Sequence, residues 1–170
     1  ILFLGNSFTA RHDIAGLVEK ILEEGDPTTD VQVQQVIYGG QNMFKHSTYY
    51  FSQSFIEESR LTEDAIAHRI ETMKRFLKSD TAPNPEEWDK HWASLGKTDV
   101  SFASIHNRIK KAIKNHESLL RDNPKTEWDY VVLQSWRDVS DQPNQAYERY
   151  ATKLAEIAKA QGAQVILYMT

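Results

Sequence analysis

The sequence predicts an α/β protein in which a parallel, flavodoxin-like sheet lies between two layers of helices. Four short apolar runs have the length and composition of buried strands, at about residues 1–4, 31–37, 130–134 and 163–169. Helical patterns separate these runs. Because strands that alternate with helices form parallel sheets covered on both faces, we expect a three-layer α/β/α arrangement with right-handed crossovers.

The first and last helices follow from apolar residues at helical spacing. The first covers about Thr9 to Glu24 and ends at the stop signals Gly25 and Pro27. Its predicted apolar face consists of five residues, Ile14, Leu17, Val18, Ile21 and Leu22. The last helix covers about 144–161 and ends at Gly162, after which the fourth strand begins.

More than ninety residues separate the second strand from the third. One crossover helix needs far fewer, so we predict a helical insertion at about 43–125. One of its helices covers about 62–79, with Thr62 as the N-cap, and another covers about 102–121. A shorter helix begins after the cap residue Asn84.

Aromatic residues are concentrated in this insertion. They are Phe44, Tyr49, Tyr50, Phe51 and Phe55, followed by Trp88 and Trp92. Such residues line grooves that stack on sugar rings in some proteins and fill cores in many others. Core packing is the favoured interpretation because the insertion needs a core of its own, and a sugar-binding groove is the alternative.

Composition narrows the class of protein. The 170 residues fit a single domain, 1–170, and hydrophobic residues make up 40% of them, so the chain should bury a core. The net charge is −4, with Lys and Arg scattered among the acids, which argues against a nucleic-acid partner. No apolar run approaches the roughly 20 residues of a membrane-spanning helix. The absence of cysteine excludes disulfides, a Cys-based metal site and a Cys nucleophile, and leaves the compartment open.

The chain begins and ends inside apolar runs, Ile1–Leu4 and Val165–Met169. We therefore expect a longer parent protein, with the domain incomplete at its carboxyl end. If the last strand normally has a neighbour on its far side, these residues alone expose an apolar edge. Aggregation or dimerisation is then expected.

Three loops leave the carboxyl ends of the first three strands, where parallel sheets bind ligands. The first is Gly5–Thr9, in which Gly5 permits a sharp exit from the strand and Ser7 stands just before a helix. A hydroxyl there is exposed, and the amide of the same residue can face a developing oxyanion. Ser7 is therefore a candidate nucleophile, and the alternative is that it only caps the helix.

The second loop, Tyr38–Asn42, contains the glycine pair Gly39 and Gly40. Without side chains at these positions, a ligand can approach the backbone amides closely. The second loop therefore offers amide donors to a ligand, and a plain turn is the alternative.

The third loop, Leu133–Asp138, contains Gln134, whose side-chain amide can turn towards an oxyanion. Trp136 and Arg137 follow in the same loop as candidate substrate contacts. A polar loop with Trp136 packed against the core is the alternative.

Two segments of the chain resemble a known family. Gly5–Thr9 reads GNSFT and resembles the first block of the SGNH/GDSL hydrolases, usually written GDS. Gly39–His46 resembles the GGxxLxxH segment of a bacterial SGNH-like subgroup, in which the third strand also ends in Leu-Gln, as it does here at Gln134. In that family a serine attacks an ester, and the serine amide, a glycine amide and an asparagine side chain hold the oxyanion.

Carried over to this chain, the resemblance implies Ser7 as the nucleophile and Gly40 as an oxyanion donor, with Gly39 as the alternative. Asn6 replaces the aspartate of GDS, and Gln134 stands in for the asparagine. The family's Asp-x-x-His block, which completes the triad, is expected one strand further on, beyond these 170 residues.

The resemblance implies an esterase that removes acyl groups, plausibly acetyl groups, from carbohydrate or another small ester. The alternative is a non-catalytic ligand- or carbohydrate-binding domain that retains the hydrolase fold, which the departures at Asn6 and Gln134 favour. A flavodoxin-like phosphate binder is a third interpretation, but the first loop lacks the small or hydroxyl residues that surround a phosphate.

Three polar residues in and after these loops are further candidate substrate contacts, namely Asn6, Asn42 and His46. His46 is also the best candidate for a base within the chain, although a structural or substrate-contacting role is favoured. The other histidines lack the paired spacing of a zinc site, so neither a metal nor a cofactor is predicted.

Overall fold

A four-stranded sheet forms the centre of the computed structural model. The structure describes residues 1–79, 103–122, 125–135 and 146–169. The four strands are β1 (Leu2–Gly5), β2 (Gln34–Ile37), β3 (Tyr130–Ser135) and β4 (Gln164–Met169). All four predicted strands are therefore confirmed, although β2 begins three residues later than the apolar run that predicted it.

The strands are all parallel and lie in the order β2-β1-β3-β4. Leu4 of β1 is paired with Val36 of β2 on one side and with Leu133 of β3 on the other. The chain thus moves from β1 to one neighbour and then crosses to the opposite one. In open parallel sheets this reversal opens a crevice at the carboxyl ends of the strands.

Alternate residues of the strands supply two separate cores. Leu4 and Leu133 point into the larger core, which the helices of the insertion share. Phe3 and Val132 point to the other face and pack with Ala15 in a smaller core. The protein is thus an α/β protein whose parallel sheet has helices on both faces, which is compatible with a three-layer α/β/α fold.

The first helical segment differs from the single helix predicted over Thr9 to Glu24. It consists of α1 (Ser7–Ala10), a 3-10 turn at Arg11–Asp13 and α2 (Ile14–Gly25). The break lies at His12 and Asp13, whose φ angles of 61° and 49° are left-handed. Two consecutive non-glycine residues in this region interrupt a right-handed helix, and Asp and His are among the residues that tolerate it best.

The predicted apolar face of α2 is only partly covered. Ala15 is buried against the sheet, and Ile14 and Val18 are half-buried. Leu17, Ile21 and Leu22 are 52%, 58% and 44% exposed. The predicted apolar face is therefore only partly right, because three of its five residues face away from the core.

The remaining described helices lie between β2 and β3 and between β3 and β4, the two places for which the sequence predicts an insertion and the last crossover. They are α3 (Met43–Thr48), α4 (Gln53–Ile56), α5 (Glu63–Leu77), α6 (Ala103–Asp122) and α7 (Ala146–Ala160), with a 3-10 turn at Glu58–Arg60. Thr62 caps α5 as predicted, because its hydroxyl accepts a hydrogen bond from the Ala65 amide at 3.2 Å. The short helix expected after Asn84 lies outside the described residues.

The aromatic residues of the insertion pack in the core, as the favoured interpretation predicted. Phe44, Tyr49, Tyr50 and Phe55 are buried, and Phe51 is half-buried. Trp88 and Trp92 lie outside the described residues. Within the described ranges, no helix is both long enough and apolar enough to cross a membrane.

We expect the chain to self-associate through β4. This strand lies at the edge of the sheet in the described structure, and Ile166 and Leu167, on its opposite faces, are 47% and 52% exposed. The strand carries no charge or proline to block pairing with a second molecule. Leu167→Lys should therefore lower the apparent mass measured by size-exclusion chromatography with light scattering.

Ala67→Lys adds the same charge at an exposed position of α5 and serves as the control. β4 would not be the contact if both lysine variants changed the apparent mass equally, or if the unsubstituted chain were a monomer.

Candidate functional site

The carboxyl ends of three strands lie side by side because β1 is paired with both β2 and β3. The turn after β1 holds Asn6 and Ser7, and the loop after β2 holds Gly39 and Gly40. Gln134 lies near the end of β3, where it is paired with Tyr168 of β4. The turn after β1 is bonded to both neighbours, to β3 through the Gln134 side chain and to the loop after β2 through the Gln41 carbonyl.

Ser7 is the exposed member of this group. It is the first residue of α1, and its side chain forms no hydrogen bond to any other described residue. Next to it, the Arg11 guanidinium lies 5.6 Å from the centre of the Phe8 ring. The Ser7 hydroxyl is thus available to a ligand at the rim of the sheet.

Asn6 is completely buried and uses both ends of its side chain. Its Oδ1 accepts a hydrogen bond from the Phe8 amide at 3.0 Å, which caps α1. Its Nδ2 donates to the Gln41 carbonyl at 3.0 Å and so joins the first loop to the second. An aspartate could make the cap but could not donate to a carbonyl. This requirement for a donor gives a physical reason for Asn6 where the resembled family has aspartate.

The peptide unit between Gly5 and Asn6 is held at both ends. The Gly5 carbonyl accepts hydrogen bonds from His46 Nε2 and from the Tyr38 amide, both at 3.0 Å. The Asn6 amide donates to Gln134 Oε1 at 3.0 Å. The partners of this peptide unit come from β3 and from the segment that follows β2. Distant parts of the chain therefore fix the turn before Ser7.

Gly5 must be a glycine for this arrangement to form. A Cβ atom at this position would collide with Thr9 Oγ1 and would lie only 2.9 Å from Gln134 Oε1. The Thr9 hydroxyl itself donates to Gln134 Oε1 at 3.1 Å. The absence of a side chain therefore lets the Gln134 carboxamide approach the turn closely.

His46 is fully buried in α3, and both of its ring nitrogens are bonded. Because Nε2 faces the Gly5 carbonyl, which only accepts, Nε2 carries the proton. Nδ1 then accepts from the Ser52 hydroxyl at 2.8 Å. Burial lowers the pKa of His46 to about 4, and the bond to Gly5 acts in the opposite direction. The imidazole is therefore neutral, and both of its nitrogens already take part in hydrogen bonds.

The second loop presents open backbone. Gly40 is exposed with a φ of 69°, and a Cβ atom at Gly39 or Gly40 would meet nothing within 4 Å. The adjacent Gln41 is buried, with Oε1 accepting from the Tyr50 hydroxyl at 2.7 Å and Nε2 donating to the Gly39 carbonyl at 3.1 Å. A fixed glutamine thus supports two glycines that face open space.

Several predicted contact residues have a supporting place instead. Asn6 and His46 have no exposed surface, and Asn42 is 6% exposed and caps α3 by accepting from the Lys45 amide at 3.1 Å. In the structure these three side chains support the loops, which is one of the two roles favoured for His46, and their contact with a substrate stays a prediction. Trp136 and Arg137, the other predicted contacts, lie outside the described residues.

Gln134 also differs from the expectation for an oxyanion donor. It has no exposed surface, and its Oε1 faces the Asn6 amide and the Thr9 hydroxyl. The extra methylene relative to asparagine lets the side chain reach back to the turn from β3. Its observed contacts make it a support of the Ser7 turn.

Sequence reasoning missed the residues that complete this support, which are Thr9, Gln41, Tyr50 and Ser52. Each bonds to another polar group of the loops. Adjacency to the glycine pair was the one available signal, and it points to Gln41 alone. The others are recognisable only from three-dimensional contacts.

A second buried histidine lies away from these loops. His116 of α6 donates from Nδ1 to the Ala112 carbonyl at 2.8 Å, and its Nε2 accepts from the Ser54 hydroxyl at 2.7 Å. Arg69 donates to the same Ser54 oxygen at 2.7 Å and forms a salt bridge with Glu57. Burial lowers the pKa of His116 to about 4, so this imidazole is also neutral.

Comparison of the chain with protein-family models, with curated proteins and with solved structures found no match. In the described part of the chain, no group of three or more histidine and acidic residues is placed to hold a metal ion.

Asn6→Asp should destabilise the protein. The substitution removes the donor to the Gln41 carbonyl and leaves a buried acceptor facing a carboxylate. A loss of about 1–3 kcal/mol is expected for such a group. Urea unfolding at pH 7 measures it.

Asn115→Asp is the matched control. The Asn115 amide donates to the Tyr38 hydroxyl at 3.3 Å, and a hydroxyl can reverse its role and donate instead. We therefore expect little change from this variant. Equal losses in both variants would contradict the assigned role of the Asn6 amide.

Acid should destabilise the protein between pH 6.5 and pH 4. The folded state keeps His46 and His116 neutral, with each pKa lowered to about 4 from 6.5. The unfolded chain therefore binds protons first as the pH falls, and the free energy of unfolding decreases. The loss by pH 4 is on the order of 3 kcal/mol per histidine.

Unfolding in urea measured at several pH values tests this expectation. The double variant His46→Gln with His116→Gln should lose most of the pH dependence in this window. If the free energy of unfolding of the double variant depends on pH as before, that dependence arises from other groups.

Proposed function

We propose that the chain is a serine ester hydrolase of the SGNH/GDSL type, with Ser7 as its nucleophile. The observation that carries the proposal is the contrast within one turn. The Ser7 hydroxyl is exposed and unbonded within the described residues, whereas the side chain of Asn6 and both ends of the preceding peptide unit are bonded. A rigid turn that presents a single unpaired hydroxyl suits a nucleophile.

The position of the turn supports the same proposal. Ser7 follows the strand at which the order of the sheet reverses, where open parallel sheets bind ligands. The resemblance of GNSFT to the first SGNH/GDSL block assigns the same serine. The parallel α/β architecture is compatible with the fold of that family.

Backbone amides supply the oxyanion site in this proposal. The N–H groups of Ser7 and Gly40 donate no hydrogen bond within the described residues, and open space surrounds Gly40. Preorganised amides of this kind stabilise the charge that develops on a carbonyl oxygen. Gly39 remains the alternative donor in the second loop.

The proposed reaction has two steps. The Ser7 hydroxyl oxygen attacks the ester carbonyl and gives its proton to a general base, which passes it to the departing alcohol oxygen as the acyl-enzyme forms. Water then attacks the acyl group and gives a proton to the base, which returns it to the Ser7 oxygen as the acid leaves. The described histidines form no hydrogen bond with Ser7, and the resemblance implies a base from an Asp-x-x-His pair. We propose acyl esters, such as acetyl groups on carbohydrate, as the substrate class.

Covalent labelling of the full-length protein tests this function. A fluorophosphonate probe should label the protein, and Ser7→Ala should abolish the label. Ser118→Ala is the control, because Ser118 lines a cavity with Gln34 at the opposite end of β2. A folded protein that takes no label would overturn the catalytic proposal.

The second candidate is a non-catalytic ligand-binding domain with the same fold. Two observations favour it, namely the burial of Gln134 and the absence of a hydrogen bond from the described histidines to Ser7. Calorimetric titration of acetylated oligosaccharides would support it if they bind, are not hydrolysed, and are excluded by Ser7→Trp.

A further inference from the structure

We infer that His46 and Gln134 are positioning residues that hold the Gly5–Asn6 peptide unit from opposite ends and thereby fix the direction of Ser7. The inference rests on the proposed function of Ser7. It assigns neither residue a contact with substrate, because both side chains have no exposed surface.

The two contacts act on one rigid body. A peptide unit is planar, so its carbonyl and its N–H move together. His46 Nε2 bonds the carbonyl of this unit and Gln134 Oε1 bonds its N–H, each at 3.0 Å. With both ends bonded, the plane cannot rotate without breaking one of the two hydrogen bonds.

Only one further peptide unit, between Asn6 and Ser7, separates this plane from Ser7. The Asn6 side chain restrains it further by bonding to the Phe8 amide and to the Gln41 carbonyl. Rotation of the Gly5–Asn6 plane would therefore be passed to Ser7 and its amide together. Misplacement of a reacting group by about 1 Å can cost on the order of 100-fold in rate.

The orientation of His46 is itself determined by the insertion. Ser52 donates to Nδ1 at 2.8 Å, and the Ser52 amide donates to the His46 carbonyl at 2.9 Å. The rings of Tyr38 and Tyr50 lie with their centres 5.2 and 6.1 Å from the imidazole. These contacts place the Nε2 proton towards Gly5, which is the tautomer that the contact needs.

Two substitutions at His46 distinguish the effect of its hydrogen bond from the effect of its side-chain volume. His46→Gln keeps an N–H donor of similar reach, and His46→Leu fills similar space without a donor. With the fluorophosphonate probe, His46→Leu should lower the labelling rate per folded molecule by about 10- to 100-fold relative to the unsubstituted protein. His46→Gln should recover most of that loss, with little change in the probe concentration that gives half-maximal rate.

Gln134→Met tests the other end of the peptide unit in the same way, and the same loss of rate is expected. Ser54→Ala is the control for damage to a buried hydroxyl–imidazole pair, because Ser54 bonds to His116 and not to the Ser7 turn. Thermal melting gives the folded fraction of each variant, and the labelling rate is divided by it. Unchanged rates in His46→Leu and Gln134→Met, or a loss in Ser54→Ala of the same size, would overturn the inference.

Hydrogen exchange provides a measurement that does not depend on catalysis. The Asn6 amide should exchange slowly in the unsubstituted protein and much faster in Gln134→Met, whereas Ser54→Ala should leave it protected. If the unsubstituted protein takes no label, the proposed function fails, and Asn6 exchange still decides whether the two residues hold the turn. Fast exchange of this amide in the unsubstituted protein would overturn the inference.

Discussion

The architecture of the carboxyl edge depends on the missing side chain at Gly5. Because no Cβ occupies this position, Gln134 Oε1 can reach the Asn6 amide and the Thr9 hydroxyl at 3.0 and 3.1 Å. These contacts join β3 to the turn after β1. The second loop is joined to the same turn through Asn6, so a larger residue at Gly5 would separate elements that otherwise form one edge.

The strands and most helices could be predicted because their signals are local. Buried parallel strands are continuous apolar runs, and α5, α6 and α7 carry stripes at helical spacing with recognisable ends. The break at His12 and Asp13 was not predictable, since both residues adopt left-handed angles that their types rarely show. The side of α2 that is covered, at Ala15, depends on contacts with Phe3 and Val132 that periodicity does not report.

The candidate site was predictable in its backbone and not in its side chains. Ser7 and the Gly39–Gly40 pair follow predicted strands, so topology alone brings them to one edge. The directions of Asn6, His46 and Gln134 result from hydrogen bonds that span 35, 41 and 128 residues. Position beside the sheet edge predicts that such polar residues face a ligand, whereas each satisfies a buried backbone group that would otherwise be costly.

Two serines in the segment after α3 limit how far the chain could be shortened. Ser52 and Ser54 lie two residues apart, and each donates to a different buried imidazole, one facing the β1 turn and one in α6. A minimal scaffold that joined β2 directly to β3 would retain the strands and lose the group that faces Gly5. The insertion therefore cannot be removed, by evolution or by design, without changing the contacts that shape the Ser7 turn.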